Sequence, residues 1–198
     1  MNQDFLPILG TDHIEFYVGN AKQTALFYQH CMGFEMVAYA GPETGLRDRA
    51  SYVLTQGKIR FVLTTSLQPN TPIAQHVAKH GDGVKVLALW VEDADKSFRE
   101  TDARGAAPAS APETLKDNFG EVVVSSIHTY GDTWHTLVER KYYTGSFLPG
   151  YQPVKTCWKP ESIGLKYVDH CVGNVELGKM NHWVEFYEKV MGFNLLIT

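Results

Sequence analysis

Apolar and polar positions along this chain fall into a strand-then-helix rhythm that occurs three times. Ile14 to Val18 is apolar and aromatic with a single charge, which predicts a strand. Asn20 follows as a helix cap, with Gln23 three residues on in the manner of a capping box. Leu26, Phe27 and Cys31 recur at helical spacing, and Gly33 supplies the left-handed residue that ends the helix. Val84 to Val91 reads as a buried strand, and Asp93 caps a helix running through Arg104 to Gly105. Hairpins follow. Ser51–Thr55 and Lys58–Thr64 flank the Gln56-Gly57 turn, and Glu121–His128 and Thr133–Glu139 flank Tyr130-Gly131-Asp132. Thr71 with Pro72 behind it opens a short helix that closes at Gly81.

The first and third strand–helix pairs are copies of one another. Asp12-His13 leads to Phe27-Tyr28-Gln29-His30-Cys31-Met32-Gly33-Phe34. Asp169-His170 leads to Phe186-Tyr187-Glu188-Lys189-Val190-Met191-Gly192-Phe193. Matched identities in the same order predict one structural unit used twice, with the Val84–Gly105 segment as a weaker echo. The pattern predicts a first domain over residues 1–144 and a Gly- and Pro-rich linker over 145–164. The first strand and helix of a second domain then occupy 165–198. The symmetry implies that the first domain is complete and that the second is truncated here.

Composition narrows the function classes. The 198 residues are 44% hydrophobic and 20% charged, enough for a packed core. A net charge of −4 gives no electrostatic attraction to nucleic acid or anionic membrane. The longest apolar run, Val86 to Val91, is far short of a bilayer span, and the N-terminus has no basic leader. Cys31, Cys157 and Cys171 contain no C-x-x-C pair, which argues against a disulfide scaffold or a zinc knuckle. A soluble cytoplasmic protein is expected. The chain has no G-x-S-x-G elbow, P-loop or G-x-G-x-x-G fingerprint.

The histidines are the candidate chemistry. His76 and His80 lie at i, i+4, which predicts a solvated helix face with no third ligand evident. His30 and His182 read as surface residues. His128 and His135 face each other across their turn, which suits a cross-strand or hydrogen-bonding role. The repeat places His13 and His170 on the first strand of their units, where a side chain can point into the cup of a curled sheet. The preceding aspartate can orient the histidine or point to the opposite face, and strand alternation argues against direct contact.

Asp169-His170-Cys171-Val172-Gly173-Asn174-Val175, followed by the Phe186–Phe193 motif, resembles the 4-hydroxyphenylpyruvate dioxygenase family. Gly131–Arg140 and Phe147-Leu148-Pro149-Gly150-Tyr151 resemble the end of that family's N-terminal domain. The resemblance implies an α+β fold of paired βαβββ units, the vicinal oxygen chelate or glyoxalase-like fold. It implies a non-haem Fe(II) held by two histidines and one glutamate, with His170 as the first ligand and Val172 lining the substrate pocket. The other two ligands fall outside this sequence, so tight iron binding by the chain alone is not expected. His13 matches the first ligand position of the first domain. Its partners there would lie near Val86 and Thr136, so His13 reads as structural. The implied reaction takes a small 2-oxo acid, 4-hydroxyphenylpyruvate, and O2 to homogentisate and CO2 in tyrosine and phenylalanine catabolism, in a homo-oligomer. Hydroxymandelate synthase, with the same substrate and fold, is the neighbouring alternative. A non-catalytic module binding a small ligand in a metal-free cup is another, with the apolar face of the Trp183–Val190 helix left as an interface.

Overall fold

The computed structural model describes residues 4–156 and 158–196. Nine strands form one mixed sheet. They are β1 (Ile8–Tyr17), β2 (Glu35–Ala40), β3 (Arg49–Gln56), β4 (Ile59–Ser66), β5 (Gly83–Val91), β6 (Pro108–Asp117), β7 (Gly120–His128), β8 (Trp134–Glu139) and β9 (Gln152–Pro153). Four α-helices accompany them: α1 (Ala21–Met32), α2 (Pro72–His80), α3 (Ala94–Ala103) and α4 (Met180–Lys189). The strand order is β6-β7-β8-β5-β1-β4-β3-β2-β9. Each unit, β1-α1-β2-β3-β4 or β5-α3-β6-β7-β8, runs its first strand parallel to its own last strand, and β1 and β5 pair antiparallel at the centre. This is the paired βαβββ architecture. Among the described residues, no helix is long and apolar enough to cross a membrane.

The local signals act as the residues dictate. Asn20 accepts a hydrogen bond from the Gln23 amide at 3.1 Å, and Thr71 and Asp93 cap α2 and α3 in the same way. Gly33 and Gly192 both take the left-handed conformation, at φ 70° and 71°. The amides of Phe34 and Phe193 then turn back to the carbonyls of Tyr28 and Tyr187 at 3.1 and 3.0 Å. The inward face of α1 differs from expectation. Ala21, Ala25 and Gln29 are buried, whereas Leu26, Phe27 and Cys31 are exposed. Alanines at i, i+4 let the helix backbone approach the sheet closely, and they outcompete the larger side chains for that position.

The two faces of the sheet are filled differently. One face carries α1 over Phe34, Leu54, Ile59 and Leu63, and α3 over Leu89, Ile127 and Leu137. The other face is filled by residues 147–151. Phe147 is fully buried against Ala38, Val53 and Val62, and Leu148 reaches the Val86–Ala88–Val122–Val138 group. Gln152–Pro153 then pairs with β2 as an edge strand. The linker expected from residue 145 is therefore built into the first domain as far as Pro153. Glycine and proline there set the turns of the backbone, while Phe147, Leu148 and Tyr151 supply apolar surface that is buried.

The second repeat departs from its first copy. Residues 165–178 form no regular strand, although the Asp-His motif predicts one. A strand needs a neighbour for its amides and carbonyls. This stretch touches the sheet through isolated bonds, Lys58 N to Lys166 O at 2.6 Å and Leu165 N to Gln56 Oε1 at 3.0 Å. The apolar face of α4 is partly covered. Val190 and Met191, just past its end, are buried beside Leu89, Ile127 and Leu137, with Phe186 and Tyr187 packed against them.

Candidate functional site

In the first copy, His13 and Asp12 are both buried, and the His13 Nδ1–Asp12 Oδ1 distance is 2.7 Å. A register shift in the β1–β5 ladder between Thr11 and His13 breaks strict alternation, so neighbouring side chains reach one another. Asp12 also meets Arg140, whose Nη2 donates to Oδ1 at 2.9 Å and whose Nε stands 2.6 Å from Oδ2. Arg60 lies 3.5 Å away. Burial alone would push the Asp12 carboxyl up. The His13 hydrogen bond and the His13, Arg140 and Arg60 charges outweigh it and hold the carboxyl down at about 2. Arg140 also donates to the Phe147 carbonyl, and the His13 ring meets the Phe147 ring edge-on at 5.0 Å. His13 thus belongs to a buried charge cluster that pins residue 147 to the sheet.

The expected partner positions, near Val86 and Thr136, carry apolar and hydroxyl side chains. His13 is in register with Ala88 of β5, which is in register with Thr136 of β8. Glu15, two residues on, faces Val86 and receives a hydrogen bond from Thr64 at 2.6 Å. Among the described residues, no group of three His, Cys, Asp or Glu side chains is placed to hold a metal ion.

In the second copy the same contact recurs in the open. His170 Nδ1 lies 2.7 Å from Asp169 Oδ2, and both side chains are about three-quarters exposed. The strand-alternation argument against this contact does not apply, because the segment is not in a ladder. His170 lines a cleft of about 460 Å³ between the sheet and the second repeat. Its walls include Leu87, Leu89, Tyr130, His135 and Tyr187. Val172 is largely exposed and does not line that cleft.

The remaining histidines are accounted for by their neighbours. The His76 and His80 rings lie 4.6 Å apart and tilted by 45°, and His80 Nε2 is 2.7 Å from Asp132 of the β7–β8 turn, a carboxylate that sequence spacing does not reveal. Lys79 binds the same Asp132 oxygen at 2.6 Å. His30 stacks on Trp158 at 4.4 Å, and His182 meets Trp183 edge-on. His128 and His135 do not face each other. His128 pairs with Trp134 and His135 with Ile127, so the two imidazoles occupy opposite faces of the hairpin. His135 is buried, with Nδ1 3.1 Å from the Leu87 carbonyl and Nε2 2.9 Å from the Tyr187 hydroxyl.

A family model described as hydroxyphenylpyruvate dioxygenase, HPPD, N-terminal, matches residues 3–148. The chain belongs to the hydroxyphenylpyruvate dioxygenase family. It is 41% identical to 4-hydroxyphenylpyruvate dioxygenase of Yarrowia lipolytica, covering 93% of this chain and 49% of that protein. It is 41% identical to the enzyme of that name from Caenorhabditis elegans, over 95% and 50% of the two chains. A mutant of 4-hydroxymandelate synthase from Streptomyces coelicolor superposes with a TM-score of 0.80 at 28% identity, covering 97% of this chain and 55% of that one. The chain spans about half the length of the curated relatives it matches. The hydroxyphenylpyruvate dioxygenase assignment agrees with the vicinal oxygen chelate fold seen here, and the matched N-terminal region is the one that Phe147 and Leu148 complete.

Proposed function

We propose that this chain serves an Fe(II)-dependent dioxygenase that converts 4-hydroxyphenylpyruvate and O2 to homogentisate and CO2. The observation that carries the reading is identity of about 40% to enzymes of that name across more than nine-tenths of the chain. His170 fits one position of a two-histidine, one-carboxylate face. Its Nδ1 is engaged by Asp169, which leaves Nε2 as the donor atom. In this reading the other two donors come from outside the described residues, which hold no group of three such side chains. When bound, the iron supplies the open coordination positions on which a 2-oxo acid and O2 meet.

The chain's own residues have simpler tasks. Asp169 fixes the tautomer and orientation of His170, keeping the lone pair on Nε2. The family resemblance assigns Val172 to the substrate pocket, although here it is largely exposed and off the cleft that His170 lines. In this reading the first domain is a scaffold, in which His13 is tied to Asp12 beside Arg140 and Phe147. A small-ligand module is disfavoured, since residues 147–151 take up the sheet face that would form its cup.

The test is His170→Ala in a protein of the relatives' length that carries this sequence. Loss of homogentisate formation is expected, and normal formation contradicts the ligand assignment. Chromatography of the wild-type product separates this reading from a hydroxymandelate synthase, whose fold the chain shares.

A further inference from the structure

The repeat brings Tyr28 and Tyr187 into equivalent positions on α1 and α4, but gives them different partners. Tyr28 packs edge-on against Phe61 of β4, with ring centroids 5.4 Å apart. Tyr187 packs edge-on against His135 of β8 at 5.7 Å. Phe61 and His135 are themselves equivalent. Phe61 is in register with Ile14 on the first strand of its unit, and His135 with Leu87 on the first strand of the other. The second helix therefore docks on a hydrogen-bonding imidazole where the first docks on an apolar ring.

We propose that His135 and Tyr187 form a proton-sensitive latch that holds the second repeat's helix against the first domain. A carbonyl can only accept, so the proton of neutral His135 sits on Nδ1 and goes to Leu87 O. Nε2 then carries the lone pair and accepts from the Tyr187 hydroxyl. Protonation turns Nε2 into a donor to the Tyr187 oxygen and places an imidazolium charge in a cleft walled by Leu87, Leu89 and Val184. Undocking α4 returns it to water.

The groups facing this contact are few. They are the Leu87 carbonyl from β5, Tyr187 and Glu188 from α4, Tyr130 from the turn after β7, and Asp169, His170 and Cys171 across the cleft. Burial draws the His135 imidazole below its ordinary value, with the Leu87 carbonyl opposing. The folded state with α4 docked thus disfavours the proton that the undocked state accepts. Docking is at full strength above about pH 6.5 and weakens as pH falls below it.

Hydrogen exchange on this chain between pH 7.5 and 5 tests the latch. The probes are the Val190 and Phe193 amides, which bond to Phe186 and Tyr187, with the equivalent Phe34 amide of α1 as control. After correction for intrinsic rates, protection at α4 is expected to fall by up to about tenfold per pH unit below 6.5, as one proton dictates. Protection at Phe34 is expected to stay level. His135→Phe, which installs the first copy's residue type, abolishes that response. Tyr187→Phe, which keeps the ring, lowers α4 protection at pH 7.5 by about fivefold, the worth of one net hydrogen bond. The latch is overturned if α1 and α4 lose protection together, if the response persists in His135→Phe, or if Tyr187→Phe protects like the wild type.

Discussion

Asp12–His13 and Asp169–His170 make the same 2.7 Å contact, yet one pair is sealed in the sheet and the other stands in solvent. In the first copy, Arg140 and Arg60 neutralise the aspartate, and Phe147 closes over the histidine. In the second, no arginine among the described residues clamps the pair, and His170 opens onto a cleft. The same dipeptide is thus a structural clasp where counter-charges and an aromatic plug surround it. Where they are missing, it is exposed and opens onto a cleft. The chemistry resides in the surroundings and not in the motif.

Removing the counter-charge breaks this comparison most severely. Arg140→Ala leaves the buried Asp12 carboxylate short of its main partner and is expected to cost about 3–5 kcal/mol, read by denaturant unfolding. Phe147→Ala opens a cavity over His13 at a cost of similar size, about 3–5 kcal/mol. A pH titration of stability sharpens the contrast. The Asp12 carboxyl is lowered from 3.8 to about 2 on folding, so its contribution is complete above about pH 4 and is lost as pH falls toward 2. That contribution is about 2 kcal/mol, and Asp12→Asn should flatten the unfolding curve across that window. The smallest effect belongs to the exposed copy. Asp169→Asn or His170→Ala should leave stability within about 0.5 kcal/mol of the wild type. A loss from Asp169→Asn as large as that from Arg140→Ala would erase the distinction.

Much of this arrangement was legible in the residues. The caps at Asn20, Thr71 and Asp93, the glycines that end the repeat helices, and the hairpin turns are local signals, and local physics decides them. The strand–helix–strands rhythm was read from the residues, and the paired βαβββ units were what the family resemblance implied. Other features depend on distant partners and left no trace in a short window. Strand β6, with Pro108 and Pro112, has little strand propensity and forms only as a bulged edge partner of β7. Phe147 sits in a glycine- and proline-rich stretch that reads as linker, yet it fills the sheet face. The Asp12–Arg140 pair joins residues 128 positions apart, and the bulge that lets Asp12 reach His13 shows no sequence signature. At the candidate site, His170 was singled out by the family resemblance, and its ligand role is the proposal above. Its engaged Nδ1 and the His135–Tyr187 contact were not legible, because both rest on three-dimensional placement.

The measurement that tests this account most directly is iron content set against melting temperature for His13→Ala and His170→Ala, in a protein of the relatives' length that carries this sequence. The account predicts that His13→Ala melts lower but retains its iron, while His170→Ala melts as the wild type does but loses it. Iron lost from the His13 variant and kept by the His170 variant would contradict it.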